Sequence, residues 1–366
     1  MNKIERKITR IVNVGDVPVG GGFPVSVQSM TTSKTADVDT LIREIELLEA
    51  AGCQIVRVTV PNNDAAKALT TIKKSTSIPL VADIHFDYRL ALAAIDAGVD
   101  KIRINPGNIG GRDRVKKVLK AAKAAHVPIR IGVNSGSLEK TLLDKYGHPT
   151  AEAMLESASR HIDICLENNF EEVIVALKSS NVNLMIEANR LFSDKYDFPL
   201  HLGVTEAGPP WQGTIKSAIG IGTLLSEGIG DTIRVSLTDD PVQEVRTGFE
   251  ILRSLNLIQR GITIISCPTC GRADVDILGI VKEIEEKTRH VQKPISVAVM
   301  GCAVNGPGEA READIGIAGG KNIFLLFRKG TIIEKIPESR AVDRLLEEIE
   351  TFSVSDPSSD TIEEGT

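Results

Sequence analysis

Apolar and polar residues follow one repeating unit along most of this chain. From Pro24 to about Ser254, a short run rich in β-branched residues is followed by an amphipathic stretch rich in Ala, Leu, Glu and Lys. The apolar runs predict eight strands, at Pro24–Ser29, Gln54–Val60, Pro79–Ile84, Lys101–Asn105, Pro128–Val133, Glu172–Leu177, Pro199–Thr205 and Thr232–Leu237. The stretches between them predict helices, such as Asp37–Ala51, Arg89–Ala97, Arg112–Ala125, Ala151–Asn168 and Gly213–Glu227.

The number of these units predicts a closed (β/α)8 TIM barrel, which typically needs about 250 residues. An open doubly wound sheet is the alternative, because periodicity alone does not reveal closure. Ahead of the barrel, the apolar segment 8–14 and the glycines at 20–22 predict a small hairpin that caps the barrel floor, or an extension without a role.

The barrel pattern stops after Leu257. Four further strands and two helices are predicted beyond it, the strands near Ile262–Ser266, Ser296–Gly301, Asp314–Ala318 and Asn322–Phe327 and the helices near Val275–Thr288 and Arg340–Glu350. We therefore predict a barrel at residues 1–256 and a smaller α+β domain at 257–352. Residues 353–366 are polar and acidic without a periodic apolar face, which predicts a disordered tail.

Composition narrows the class of protein. With 43 Lys and Arg against 49 Asp and Glu, the formal charge is −6, which does not favour a general nucleic-acid or anionic-membrane surface. No apolar run reaches the length of a membrane span, and the first residues lack a signal-peptide core. An odd count of five cysteines argues against a disulfide framework. We expect a cytoplasmic protein with reduced thiols.

Five cations occur in or beside the predicted strands, at positions where barrel enzymes carry their active sites: Arg57, Arg103, Arg130, Lys178 and Arg234. Burying them unpaired would be costly, and they would repel one another unless an anion joined them. Each one alone could instead pair with a core carboxylate such as Asp83 or Glu206. Together they indicate a phosphorylated or diphosphorylated ligand, because guanidinium groups match phosphate oxygens.

Neutral hydrogen-bonding groups accompany these cations near the predicted strand ends, and they could either orient a polyol ligand or cap helices. They include Asn105, Asn134, Thr205 and Ser236. Glu206 follows the seventh strand directly and is the candidate proton donor or acceptor. Asp83 and His85, after the third strand, could do similar work, and for Asp83 we favour pairing with the arginines.

Three cysteines near the C-terminal end form a metal-binding pattern. Cys267 and Cys270 are two residues apart in Cys-Pro-Thr-Cys-Gly-Arg, and Cys302 opens the run Cys302-Ala-Val-Asn-Gly-Pro-Gly-Glu309. Three thiolates are one short of the usual four, so the site needs another ligand or has an open position. A structural zinc with Glu309 or His290 is one interpretation, and an iron-sulfur cluster is the other. The remaining cysteines, Cys53 and Cys165, are predicted to be buried and inert.

These motifs resemble the bacterial 4-hydroxy-3-methylbut-2-en-1-yl diphosphate synthase family, iron-sulfur enzymes of the non-mevalonate isoprenoid route. The resemblance lies in the segments Ser26–Thr31, Ala82–Phe86, Arg103–Asn108, Arg130–Asn134, Leu202–Gly208, Cys267–Arg272 and Gly301–Glu309. It implies a TIM barrel followed by a smaller α+β iron-sulfur domain. It also implies reductive ring opening and dehydration of 2-C-methyl-D-erythritol 2,4-cyclodiphosphate to 4-hydroxy-3-methylbut-2-en-1-yl diphosphate.

The resemblance also implies roles for individual residues. Cys267, Cys270 and Cys302 would bind one [4Fe-4S] cluster per subunit, with Glu309 on the fourth iron, and Glu206 would protonate the departing hydroxyl group. The substrate would be bound by Arg57, Arg103, Asn105, Arg130, Asn134, Lys178, Thr205, Arg234 and Ser236.

Partners follow from the same resemblance. Flavodoxin or ferredoxin would donate the electrons, and a head-to-tail homodimer would share each active site between subunits. No nucleic acid or membrane partner is expected. Two other classes of protein remain possible on the residues alone. One is a non-redox barrel enzyme, similar to pteridine-binding synthases, with a structural zinc; the other is a cluster-bearing sensor without turnover.

Overall fold

The structure is a computed structural model that describes residues 4–104, 109, 111–268, 270, 275–302, 311–320 and 323–352. The chain divides into two compact units, Met1–Ile258 and Gln259–Thr366, so the division lies two residues beyond the predicted boundary. The predicted tail at 353–366 lies outside the described residues. Within the described ranges, no helix combines the length and the apolar character needed to cross a membrane.

The first unit contains a closed barrel of eight parallel strands, as predicted. A two-stranded antiparallel hairpin, β1 (Val12–Val14) and β2 (Val17–Val19), comes before it. The barrel strands are β3 (Ser26–Met30), β4 (Ile55–Val60), β5 (Leu80–Ile84), β6 (Lys101–Ile104), β7 (Ile129–Asn134), β8 (Val173–Lys178), β9 (His201–Leu202) and β10 (Thr232–Ile233). They pair in chain order, and β10 pairs with β3. A parallel bridge between Val175 and Leu200 joins β8 to β9 and closes the ring, which excludes the open sheet.

Helices follow the strands around the outside of the barrel. In the part of the unit that the structure describes they are α1 (Val38–Ala50), α2 (Asn63–Ser75), α3 (Tyr88–Asp96), α4 (Arg112–Ala125), α5 (Lys140–Tyr146), α6 (Ala151–Glu167), α7 (Val182–Lys195), α8 (Pro210–Ser226) and α9 (Pro241–Ser254). Side-chain caps fix several of their first turns, since Asn62, Thr150 and Asn181 each accept a hydrogen bond from a backbone N–H three residues later. Such caps set where each βα loop ends and thereby hold the loops that follow the strands.

The N-terminal hairpin closes the floor of the barrel, as the sequence predicts. Val12, Val14 and Val19 are buried in one cluster with three residues of the barrel strands, Ile55, Val81 and Ile174. Val81 and Ile174 lie near the amino ends of their strands, and Ile55 begins β4. The cluster therefore fills the interior at the end opposite to the one where barrel enzymes carry their sites.

The second unit contains a mixed five-stranded sheet with the order β11-β12-β13-β14-β15. Its strands are β11 (Ile262–Ser266), β12 (Ile295–Met300), β13 (Ile315–Gly320), β14 (Ile323–Arg328) and β15 (Thr331–Pro337), and its helices are α10 (Ile277–Lys287) and α11 (Ala341–Thr351). The two helices share one apolar core with the sheet. The first four strands were predicted. The edge strand β15 was not, because most of its side chains are exposed and carry no alternating apolar signal.

Candidate functional site

Cations from five strands line the interior of the barrel. They are Arg57 on β4, Lys101 and Arg103 on β6, Arg130 on β7, Lys178 on β8 and Arg234 directly after β10. Arg130 is 1% exposed and Lys101 is fully buried. Barrel interiors are ordinarily filled by branched apolar side chains. This one is strongly basic, and the structure brings together all five cations selected from the sequence.

Asp83 pairs with two of these arginines, as expected. Its Oδ1 lies 3.2 Å from Arg103 Nη1, its Oδ2 lies 3.8 Å from Arg57 Nε, and His85 Nε2 is 3.4 Å from Oδ2. Burial alone would raise the pKa of Asp83, but Arg57, His85 and Arg103 hold it well below its ordinary value. Asp83 is therefore an ionised scaffold carboxylate and a poor proton donor.

The carboxylate that pairs with Arg234 is Glu244, which lies in the first turns of α9 and was missed in the sequence. Glu244 is 4% exposed, and its oxygens accept hydrogen bonds from Arg234 Nε and Nη2 at 3.2 Å. The suggestion that Glu206 could be a core partner of the cations is wrong. Glu206 is exposed and has no ion pair within 4.0 Å among the described residues.

The cation cluster carries an uncompensated positive charge. Six basic side chains face two carboxylates, Asp83 and Glu244, so basic groups outnumber acidic ones by four among the described residues. Arg130 Nε and Nη1 are buried without a hydrogen-bond partner in that part of the chain. Burial and the neighbouring cations keep the pKa of Arg130 and of Lys178 below the usual range, and burial lowers the pKa of Arg57 to about 10. A bound anion would relieve this repulsion.

Two glycines leave the space that the cations occupy. A Cβ atom at Gly132 would lie 2.7 Å from Arg103 Nε, and one at Gly203 would lie 2.9 Å from Lys178 Nζ and 2.5 Å from the carbonyl oxygen of Arg234. Any side chain at either position would displace a cation or the backbone. These glycines are therefore part of the site.

The neutral groups lie beside the cations at the carboxyl ends of the strands. Asn134 ends β7, and Thr205 and Ser236 follow β9 and β10; all three are half-buried. Asn105 lies outside the described residues. Glu206 adopts the left-handed conformation with φ 52°, which is uncommon for a residue with a side chain. That turn places an exposed carboxyl group directly after the half-buried Thr205.

Sequence reasoning also missed Lys101 and His201, which belong to a deeper polar layer. Lys101 Nζ donates to Gln28 Oε1 at 3.4 Å, and both nitrogens of the fully buried His201 have no hydrogen-bond partner among the described residues. Burial lowers the pKa of His201, and Lys178 and Arg130 lower it further, so the imidazole is neutral. The signal for Lys101 was present, because a lysine begins an apolar strand two residues before Arg103.

The second unit carries the cysteine motif at adjacent strand ends. Cys267 follows β11 and Cys302 follows β12, and these strands pair in parallel. The Gly301 N–H donates to Cys267 Sγ at 3.2 Å, which is the kind of hydrogen bond that stabilises a thiolate ligand. Cys270 is exposed. Glu309 lies outside the described residues, within which no three potential ligands are gathered into a metal site.

The other two cysteines are in the barrel and are buried, as predicted. Burial raises the pKa of Cys53 to about 11 and that of Cys165 to about 12. Neither thiol is therefore a ready nucleophile or ligand. The chemistry of the donor set at Cys267, Cys270 and Cys302, three soft ligands in sequence segments rich in Gly and Pro, fits an iron-sulfur cluster.

Comparison with known proteins places both units in one family. Residues 9–249 match the GcpE TIM-barrel domain, and residues 263–351 match the GcpE protein C-terminal domain. The chain is 60% identical over 349 residues to the 4-hydroxy-3-methylbut-2-en-1-yl diphosphate synthase (flavodoxin) of Clostridium perfringens, covering 95% of this chain and 100% of the relative. A relative with the same name from Symbiobacterium thermophilum is 55% identical, over 95% of this chain and 94% of the relative. Another from Listeria monocytogenes is 58% identical, over 96% of this chain and 95% of the relative.

Solved structures that resemble the chain are more distant. A dihydropteroate synthase from Yersinia pestis is 13% identical with a TM-score of 0.49, covering 67% of this chain and 97% of that one. The family models and the full-length relatives extend over both units. This chain belongs to the GcpE family.

Proposed function

We propose that this chain converts 2-C-methyl-D-erythritol 2,4-cyclodiphosphate to 4-hydroxy-3-methylbut-2-en-1-yl diphosphate in isoprenoid precursor biosynthesis. The relatives described above carry the name of this synthase. The single observation that carries the proposal is the buried excess of cations inside the barrel, because a cyclic diphosphate supplies the anionic charge that the cluster lacks.

The barrel binds and orients the substrate. Arg57, Arg103, Arg130, Lys178 and Arg234 neutralise the two phosphate groups. Nε and Nη1 of Arg130, which have no hydrogen-bond partner among the described residues, supply two ready donors. Four neutral side chains, Asn105, Asn134, Thr205 and Ser236, hydrogen-bond to the hydroxyl and phosphate oxygens. Because most of these cations are buried, their interactions with phosphate oxygens are stronger than they would be at the surface.

The reaction takes up two electrons and releases water. Ring opening breaks the bond between C2 and a phosphate oxygen, the hydroxyl group on C3 leaves with a proton as water, and the added electron pair remains in the new C2=C3 double bond. Glu206 donates that proton, because it is the acidic group next to Thr205 at the carboxyl end of the barrel. Asp83 is ionised between its arginines and is unsuited to the role.

A [4Fe-4S] cluster, one per subunit, fits Cys267, Cys270 and Cys302, with Glu309 as the fourth ligand. When bound, it supplies the one-electron transfers that the side chains of the protein do not provide. The electron donor is flavodoxin or ferredoxin, and the relatives, which are named as flavodoxin-dependent synthases, favour flavodoxin. The reaction takes place in the cytoplasm.

Each active site is shared in a head-to-tail homodimer. Helix α9 runs antiparallel to the strands, so it ends at Ser254 on the floor side of the barrel, and the segment that follows starts away from the site. A two-fold dimer in which the cluster of one subunit serves the barrel of the other makes two complete sites at once.

Anaerobic purification followed by a turnover assay tests the proposal. We expect a brown protein with about four irons per chain that converts the cyclodiphosphate when reduced flavodoxin is added. A colourless protein with zinc would instead support a non-redox barrel enzyme. A brown protein inert to the cyclodiphosphate, even with a strong chemical reductant, would indicate a cluster-bearing sensor.

A further inference from the structure

We propose that Glu244 is a positioning residue that fixes the guanidinium group of Arg234 for contact with a phosphate group of the substrate. This inference deepens the proposed function and rests on it. Glu244 is on a helix outside the barrel strands, it is not among the residues that contact the substrate in that proposal, and it acts through Arg234.

Glu244 holds one side of the Arg234 guanidinium group. Its Oε2 accepts from Nε and from Nη2, and its Oε1 accepts from Nη2, each at 3.2 Å. A carboxylate and a guanidinium group in this two-pronged arrangement fix orientation as well as distance. The third nitrogen of the fork, Nη1, makes no hydrogen bond to Glu244; its partner is the weak acceptor Met30 Sδ at 3.7 Å, which a phosphate oxygen could replace.

The same carboxylate is held by two further groups. The Leu237 N–H donates to Oε1 at 3.0 Å, and Ser29 Oγ donates to Oε2 at 3.2 Å. Ser29 is on β3, Arg234 follows β10, and Leu237 is in the loop next to Ser236. One buried carboxylate thus ties together two neighbouring strands and the loop that carries a proposed substrate ligand.

The guanidinium group of Arg57 lies close to that of Arg234, which is why the orientation of Arg234 needs to be fixed. Arg57 Nη2 lies 2.7 Å from Met30 Sδ, and Arg234 Nη1 lies 3.7 Å from the same sulfur. Two guanidinium groups that converge on one neutral atom repel each other. Asp83 holds Arg57 and Glu244 holds Arg234, so the two groups stay side by side. That arrangement suits a phosphate group that bridges them.

The test is Glu244→Gln, which keeps the size of the side chain and removes its charge. With the holoenzyme under anaerobic conditions, calorimetric titration of inorganic diphosphate should show about a tenfold weaker Kd, as expected for a lost charge-assisted hydrogen-bond pair. The KM for the cyclodiphosphate should rise similarly while kcat changes little. If Glu244→Gln only destabilised the fold, a smaller fraction of the protein would be active. The apparent kcat would then fall while Kd and KM stayed unchanged.

Glu227→Gln is the matched control. Glu227 also holds an arginine, Arg190, through Nε and Nη2, but both side chains are exposed outside the site. Its substitution should leave Kd and KM unchanged. If both variants weaken binding equally, a general effect of removing a carboxylate explains the result and the positioning role is overturned.

A double-mutant cycle with Arg234→Met decides whether Glu244 acts through Arg234. If it does, Glu244→Gln should have almost no further effect on Kd in the Arg234→Met background. If the two substitutions instead weaken binding by independent factors that multiply, the proposal is overturned.

Should Glu244→Gln fail to fold, Ser29→Ala is the second variant, because it removes one contact to the carboxylate. It should weaken diphosphate binding about two- to threefold, and an unchanged Kd would then overturn the proposal.

The same experiments separate this inference from the proposed function. If the holoenzyme binds diphosphate with the expected coupling but does not convert the cyclodiphosphate, the proposed reaction fails and the positioning role stands. If turnover is normal and the two variants act independently, the reaction stands and the positioning role fails.

Discussion

Asp83 accepts a hydrogen bond from Arg103 at 3.2 Å, and the two residues are direct partners across the neighbouring strands β5 and β6. The pair is almost completely buried inside the barrel. Its ionised carboxylate is one of two that offset six cations there, so the barrel depends on it before any substrate arrives.

Replacing this carboxylate should therefore destabilise the protein. We expect Asp83→Asn to lower the free energy of unfolding by about 3 kcal/mol, because removing one partner of a buried ion pair leaves the others uncompensated. Anaerobic denaturant titration measures the change. Asp64→Asn is the control, since Asp64 is 80% exposed beside Lys67 and should cost less than about 0.5 kcal/mol. Equal stability of Asp83→Asn and the unchanged protein would contradict the scaffold role.

Glu206→Gln should leave substrate binding intact and reduce turnover by roughly 100-fold or more, as the loss of a general acid does. Steady-state kinetics with reduced flavodoxin and a titration with the cyclodiphosphate measure the two effects separately. Arg130→Ala is the contrasting variant, because it should raise KM while activity returns at saturating substrate. Near-normal turnover of Glu206→Gln would show that the proton comes from elsewhere, and His85 would be the next residue to replace.

Cys302→Ser should remove the cluster or leave it incomplete, because a hydroxyl group is a poor substitute for a thiolate on iron. Iron content and the visible absorption spectrum of the anaerobically purified protein report this without an activity assay. Cys53→Ser and Cys165→Ser are matched controls, since burial raises the pKa of both thiols and keeps them out of metal chemistry. An unchanged spectrum in Cys302→Ser would exclude it as a ligand.

The proposed sharing of each active site between two subunits predicts complementation between two inactive chains. Co-expression of Glu206→Gln with Cys270→Ser should give heterodimers in which one site carries both changes and the other carries neither. We expect up to half of the unchanged activity per heterodimer, whereas each parent alone remains inactive. Separate affinity tags allow the heterodimers to be isolated and assayed. Isolated heterodimers as inactive as their parents would mean that each barrel uses the cluster of its own chain.

Much of the fold could be predicted from periodicity. All eight barrel strands were placed correctly, because each is an apolar run between amphipathic stretches. The ladders of β9 and β10 are shorter than predicted, with two residues each. Apolar runs indicate burial, and burial continues beyond the hydrogen-bonded ladder through Val204 and Val235.

The site could be predicted less completely. The cations were found because an arginine within an apolar strand is conspicuous, but Glu244 was not. An acidic residue in the first turn of a helix is common for electrostatic reasons alone, so the sequence does not reveal that this one turns inward toward Arg234. The sequence also does not show which carboxylate pairs with which cation, because the pairing depends on strand register.

The sealed floor of the barrel limits the order of events during catalysis. Val12, Val14 and Val19 fill the barrel interior at its floor with buried apolar side chains, a layer that charged phosphate groups do not cross readily. We therefore expect substrate and product to use the carboxyl ends of the strands, where barrel enzymes carry their sites. A new cyclodiphosphate can therefore enter only after the previous product has left, and arrival and departure must strictly alternate in every catalytic cycle.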